Sequence, residues 1–190
     1  QFLGKKTNHR NDIWGGDIYK RSKFLIKIIN EIKKSVPESF IVGVRISPEI
    51  NDMGIFLDDS LELAKILTKI GIDFIHLSCW DCFKISDEYS KDKKTITEWF
   101  THTISNLPTI ISTGGIWSSK DATDVMMQGA DLIGVGRVAI PYPDWSLNLK
   151  DDNYNPPKMP FTSTQLTKAG LSDVFIAYMK NWKGFVEDEK

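Results

Sequence analysis

Apolar residues recur along this chain with two alternating rhythms, and the alternation predicts its architecture. Between Ile18 and Val36, Phe24, Leu25, Ile28, Ile29 and Ile32 recur at helical spacing with Lys and Arg between them, an amphipathic helix that Pro37 stops. Phe40 to Ile46 then reads as a short apolar strand. After a polar loop, Asp58-Asp59-Ser60 are expected to cap a helix rather than act as a catalytic pair. Its stripe is Leu61, Ala64, Leu67 and Ile70, and Gly71 ends it. The unit repeats: Asp73 to Ser78 as strand, a long loop and a helix to about Asn106, Pro108 to Ser112 as strand. Ser118-Ser119 cap a helix closing at Gly129, and Leu132 to Gly136 form a fourth strand. Strands alternating with helices predict an α/β fold with a parallel sheet. No sequence repeats or low-complexity stretches are evident. Pro141 to Pro160 is expected to wander over the surface, and Val174, Phe175, Tyr178, Met179 and Trp182 to line a terminal helix packed on the body.

Composition narrows the function without naming it. The chain has 190 residues, 41% hydrophobic and 26% charged, enough for a sizeable core. A net charge of −1 gives no sign of a nucleic-acid partner. No apolar run is long enough to span a membrane, and no secretory leader is seen. Cys79 and Cys82 are too few for a disulfide framework, which makes the cytoplasm the expected compartment. The start at Gln1, without Met, is compatible with a fragment or a processed product. The runs Lys91 to Lys94 and Glu187 to Lys190 read as solvated surface.

Candidate chemistry gathers at strand ends. Thr113-Gly114-Gly115 ends the third strand before a helix, and Gly134-Val135-Gly136-Arg137 ends the fourth. Glycines let backbone N–H groups approach phosphate oxygens, and an arginine can grip them bidentately. Either motif alone could merely permit a tight turn; two such motifs one βα unit apart favour phosphate. In Gly43-Val44-Arg45-Ile46-Ser47, period two puts Val42, Val44 and Ile46 toward the helices and Gly43, Arg45 and Ser47 toward the opposite side. An inward arginine needs an anionic partner, either a ligand or an internal carboxylate. Cys79-Trp80-Asp81-Cys82 reads as two reduced thiols rather than a redox pair, with Trp80 at the rim as a substrate neighbour or a packing residue. His76 reads as a hydrogen-bonded inward residue, and with His9 and His102 isolated no metal site is expected.

These segments together resemble the old yellow enzyme family. Gln1-Phe2-Leu3, then Asn8, Arg10, Asp12, Trp14, Gly15, Gly16 and Arg21, resemble the stretch after strand four of those flavin-binding (β/α)8 barrels. The Gly43 strand, the Gly114 turn, and Gly134 to Arg137 followed by Pro143-Asp144-Trp145 match later family segments in order. The resemblance implies a TIM barrel of which the chain supplies the C-terminal half, strands five to eight. Residues 1–16 would be the loop after strand four, 17–149 the βα units, and 150–190 a C-terminal extension. It implies FMN as cofactor and NADH or NADPH as reductant, with hydride passed to an electron-poor alkene or another small-molecule acceptor. Arg45 would sit by the flavin pyrimidine edge, and Gly114, Gly115, Gly136 and Arg137 on its phosphate. Asn8, Arg10, Asp12 and Arg21 would tie the opening loop to the barrel. No catalytic residue is assigned, because the family's His-His or His-Asn pair and its Tyr would lie upstream of Gln1. A missing N-terminal half, or a second copy, would complete the barrel. The rival expectations are a catalytically silent half-barrel or interaction module, and another phosphate-binding barrel.

Overall fold

The computed structural model describes residues 1–187, so three residues of the Glu187 to Lys190 run lie outside it. The chain forms two compact units: residues 1–115 with 125–134, and residues 116–124 with 135–190.

The first unit holds a four-stranded sheet in the order β1 (Gly43–Ile46), β2 (Phe74–Ser78), β3 (Thr109–Thr113), β4 (Leu132–Gly134). Every pairing is parallel. Before β1 runs α1 (Ile18–Ser35), while α2 (Leu57–Lys69) links β1 to β2 and α3 (Ile96–Thr103) links β2 to β3. The connection from β3 to β4 is α4 (Ser119–Met127), within which the chain crosses from the second unit to the first. Strand alternation is expressed in full. Val44, Ile46, Ile75, Leu77, Ile110 and Ser112 are buried on one face, while Arg45, His76 and Thr113 stand on the other, more open face.

Several expectations are corrected. Phe40 and Ile41 lie outside β1 and are exposed, because the ladder with β2 begins only at Gly43. β4 stops at Gly134, and α3 stops at Thr103. Asp58-Asp59-Ser60 do not cap α2; Phe56 holds the cap position without a side-chain bond. Glu88 accepts from the Leu57 N–H (2.7 Å) instead, Asp58 accepts from Tyr89, and Asp59 pairs with Arg21. Lys94 is half-buried with its ammonium over the Trp99 ring, unlike the exposed Lys91 and Lys93.

A repeat emerges that the linear pattern concealed. The Asp73 N–H donates to the Val42 carbonyl (2.9 Å), and the Val42 N–H donates back to the Asp73 carboxylate (2.6 Å). Asp131 and Ile110 exchange the same two bonds at 2.9 and 2.8 Å. Each aspartate follows a helix-ending glycine by two positions, in Gly71-Ile72-Asp73 and Gly129-Ala130-Asp131. Both reciprocal clasps satisfy backbone groups where the strands begin, Val42 and Asp73 just before β1 and β2, Ile110 within β3 and Asp131 just before β4, and fix the register of each pair.

In the second unit, Trp117, Tyr142, Phe161 and Phe185 form an aromatic core, with Trp117 stacked on Phe161 at 6.4 Å. Residues 141–160 do not simply wander over the surface. They include α5 (Trp145–Asn148), whose Trp145 is buried and donates its indole N–H to the Trp117 carbonyl (2.6 Å). The Trp117 indole donates in turn to the Pro156 carbonyl (2.6 Å). A short two-stranded sheet, β5 (Phe161–Thr162) with β6 (Val186–Glu187), and α6 (Ser163–Lys168) precede and flank the terminal α7 (Asp173–Met179). α7 buries Ile176 and Met179, whereas Val174, Phe175, Tyr178 and Trp182 are exposed, so most of the expected packing stripe faces outward.

Candidate functional site

The opening segment is a buttress built around a buried arginine. Arg21 is 1% exposed; it donates to the Gly16 carbonyl (2.8 Å), to the Leu3 carbonyl and to Asp59 (2.8 Å). Lys5 reaches the same carboxylate at 3.0 Å. The Asn8 amide donates to the Phe2 and Trp14 carbonyls (2.7 and 2.8 Å), and Arg10 pairs with Asp12. One loop is thereby pinned at both ends to α1 and α2.

On the open face of the sheet, Arg45 is exposed and donates to the Ser78 hydroxyl rather than to a carboxylate. Among the described residues no carboxylate pairs with it. His76, opposite Arg45 in register, has Nε2 2.6 Å from Thr113 Oγ1. Desolvation first, and the Arg45 charge second, hold the His76 pKa below its ordinary value, which favours neutral imidazole. Beyond the strand ends lies a cleft of about 460 Å³ lined by Ser47, Pro48, Ser78, Trp80, Asp81 and Lys84 among others. It opens at the carboxyl ends of β1 and β2, where α/β sheets bind ligands. Trp80 is 81% exposed there. Glu49 fixes the loop beside it, accepting from the Ser86 hydroxyl (2.8 Å) and from the Asp87 and Glu88 N–H groups (3.0 and 3.1 Å). Nothing in the linear sequence marked Glu49 for this role.

The glycine turn after β3 has a demanding geometry. Gly114 and Gly115 carry φ of 140° and 74°, and a Cβ at Gly114 would stand 2.4 Å from the Cys79 carbonyl oxygen. Only glycine fits that backbone. The two cysteines are not disulfide-bonded. Burial first, then the neighbouring Cys82, Asp81 and Glu49, push the Cys79 thiol up to about 12. A thiol held that far from ionisation is a poor nucleophile, which agrees with the structural reading of the C-x-x-C.

In the second unit, Gly136 precedes a short 3-10 turn, Arg137–Ala139, whose Ala139 N–H donates to the Gly136 carbonyl (3.1 Å). No atom lies within 4 Å of a Cβ built at Gly136. Its glycine is thus not demanded by internal packing, and the space beside it is open for a ligand to approach the backbone. Of the residues expected to serve a cofactor, Arg45, Gly114 and Gly115 belong to the first unit and Gly136 and Arg137 to the second, while Trp80, expected beside the substrate, belongs to the first. Among the described residues no group of three or more His, Cys, Asp or Glu is arranged to hold a metal ion. No helix among them is long and apolar enough to cross a membrane.

Parallel βα units with glycine turns near the strand ends and an open-face arginine define a class of α/β protein whose candidate ligand contacts lie at the carboxyl ends of its strands. The profile of the NADH:flavin oxidoreductase / NADH oxidase family matches residues 1–155. The probable NADH-dependent flavin oxidoreductase YqiG of Bacillus subtilis is 28% identical over 191 residues, covering 98% of this chain and 51% of that protein. The NADH:fumarate oxidoreductase of Klebsiella pneumoniae is 31% identical over 158 residues, covering 78% of this chain and 17% of its own. The old yellow enzyme homologue of Zymomonas mobilis shares the fold, with a TM-score of 0.67 at 20% identity over 90% of this chain and 49% of its own. The chain belongs to the NADH:flavin oxidoreductase / NADH oxidase family. FMN and a reduced nicotinamide nucleotide are the cofactors of that family. The chain spans about half the length of YqiG and a smaller share of the fumarate oxidoreductase.

Proposed function

We propose that this chain is the C-terminal half, strands five to eight, of a single (β/α)8 barrel spanning residues 1–190 and a further half. Its activity is the passage of hydride from NADH or NADPH, by way of FMN, to an electron-poor alkene or another small acceptor. Bound FMN would supply the two-electron chemistry. The residues of this chain hold and tune it. Arg45 stands at the pyrimidine edge, where a cation favours negative charge on the reduced ring. The Gly114-Gly115 turn and the Gly136-Arg137 turn each offer a phosphate contact, a pairing that rests on the family resemblance. Trp80 borders the acceptor. Residues 1–16 brace the barrel rather than react, and 150–190 form an extension. Two reduced thiols suit a cytoplasmic setting.

The observation that carries this reading is the combination of a glycine-only turn at the end of β3 with an arginine on the open sheet face that has no carboxylate partner among the described residues. The family match disfavours another phosphate-binding barrel. The test is titration of FMN with the chain, followed by flavin absorbance. Binding that is weakened at least about tenfold by Arg137→Ala, the loss of a charge-assisted bidentate contact, supports the reading. Binding only after the other half is added supports a shared site; no binding in either case overturns the flavin reading.

A further inference from the structure

The two cysteines of the Cys79-Trp80-Asp81-Cys82 segment have no part in the function above, and their geometry gives them one. Cys82 is fully buried. Its thiol donates to the Gly114 carbonyl oxygen at 2.8 Å, and its backbone N–H donates to the same oxygen at 3.1 Å. One step earlier, the Cys79 N–H donates to the Thr113 carbonyl at 2.9 Å, continuing the β2–β3 ladder beyond Ser78 and Thr113. Two successive carbonyls of the glycine turn are therefore held by one loop.

A trans peptide is planar, with its C=O and N–H pointing in opposite directions. The Gly114 carbonyl and the Gly115 N–H belong to one peptide. Fixing the carbonyl toward Cys82 fixes the Gly115 N–H away from that loop. With φ of 140° and 74°, these glycines have wide conformational freedom, so an external constraint is needed to keep one peptide orientation. Asp81 does not compete for the peptide: its carboxylate accepts from the Phe83 N–H (2.9 Å) and lies 3.5 Å from where a Gly115 Cβ would stand.

We infer that Cys82 is a positioning residue that locks the Gly114–Gly115 peptide so that the Gly115 N–H is presented to an anion. The anion being the FMN phosphate rests on the flavin reading above. The C-x-x-C is thus a brace whose second cysteine matters as a buried donor, and its first as a backbone link.

Two measurements on the full chain separate the brace from the flavin reading. The first is the amide resonance of Gly115 in Cys82→Val, which keeps an apolar side chain of similar size and removes the donor, and in Cys82→Ser, which restores one. The Gly115 and Cys82 amide signals are expected to move in the valine variant and to return toward their original positions in the serine variant. Unchanged signals in the valine variant overturn the brace. The second is FMN titration: losing one modest hydrogen bond should weaken binding about two- to tenfold in Cys82→Val, with recovery in Cys82→Ser. Equal FMN affinity in the original and valine chains overturns the link to phosphate. Absence of FMN binding by the original chain both alone and with the other half added, with the amide signals moving as expected, sinks the flavin reading and leaves the brace standing.

Discussion

Replacing Gly114 and Gly136 separately by alanine should split stability from cofactor binding. At Gly114 the new methyl would stand 2.4 Å from the Cys79 carbonyl oxygen, and φ of 140° is a conformation alanine avoids. Forcing such a backbone costs about 1–3 kcal/mol. Displacing the peptide also weakens the bonds from Cys82, worth roughly 1 kcal/mol. Against this, alanine narrows the unfolded ensemble and returns about 0.4–1 kcal/mol. A net loss of about 1–3.5 kcal/mol follows, equivalent to roughly 3–12 °C in Tm for a chain of this size. Gly136 has no atom within 4 Å of its Cβ position and a negative φ of −131°, so Gly136→Ala should stay within about 0.5 kcal/mol. Thermal melts followed by circular dichroism, paired with FMN titration, read both quantities. Gly114→Ala should lose stability and FMN affinity together, and Gly136→Ala affinity alone. A Gly114→Ala melt within 1 °C of the original chain would refute the close-approach argument.

Arg21→Met should destabilise the chain by about 3 kcal/mol or more, because Asp59 keeps only Lys5 and two carbonyls lose their donor. Urea unfolding checks this, and a change below 1 kcal/mol would show that the buttress is dispensable. His76 supplies a pH prediction. Its folded pKa lies below the unfolded value, so its stabilisation is present above the unfolded pKa and lost as pH falls through the folded one. Stability measured from pH 7.5 down to pH 5 should therefore fall less steeply in His76→Gln, and identical slopes would rule the histidine out as a contributor.

The strand-and-helix alternation was legible because both periodicities are strong here; all four strands and the three helices among them follow it. Boundaries failed where tertiary partners decide them. β1 begins at Gly43 only because its ladder partner begins at Phe74, and α2 takes its N-terminal acceptor from Glu88, thirty-one positions away. The glycine turn was visible as composition, but its dependence on Cys82 was not, since that contact spans thirty-two positions. The outward stripe of α7 misled for another reason: apolar spacing reports a face, not what covers it.

The two aspartate clasps divide the sheet into a β1–β2 pair and a β3–β4 pair, each with its own register lock where its strands begin. The junction between the pairs, from β2 to β3, has no such lock among the described residues. That junction holds the long segment from Cys79 to Thr95, the loop that flanks the cleft and carries Trp80. The sheet is modular in this sense: its aspartate clasps fall inside the pairs, and the rim loop itself ties β2 to the turn after β3 through Cys79 and Cys82.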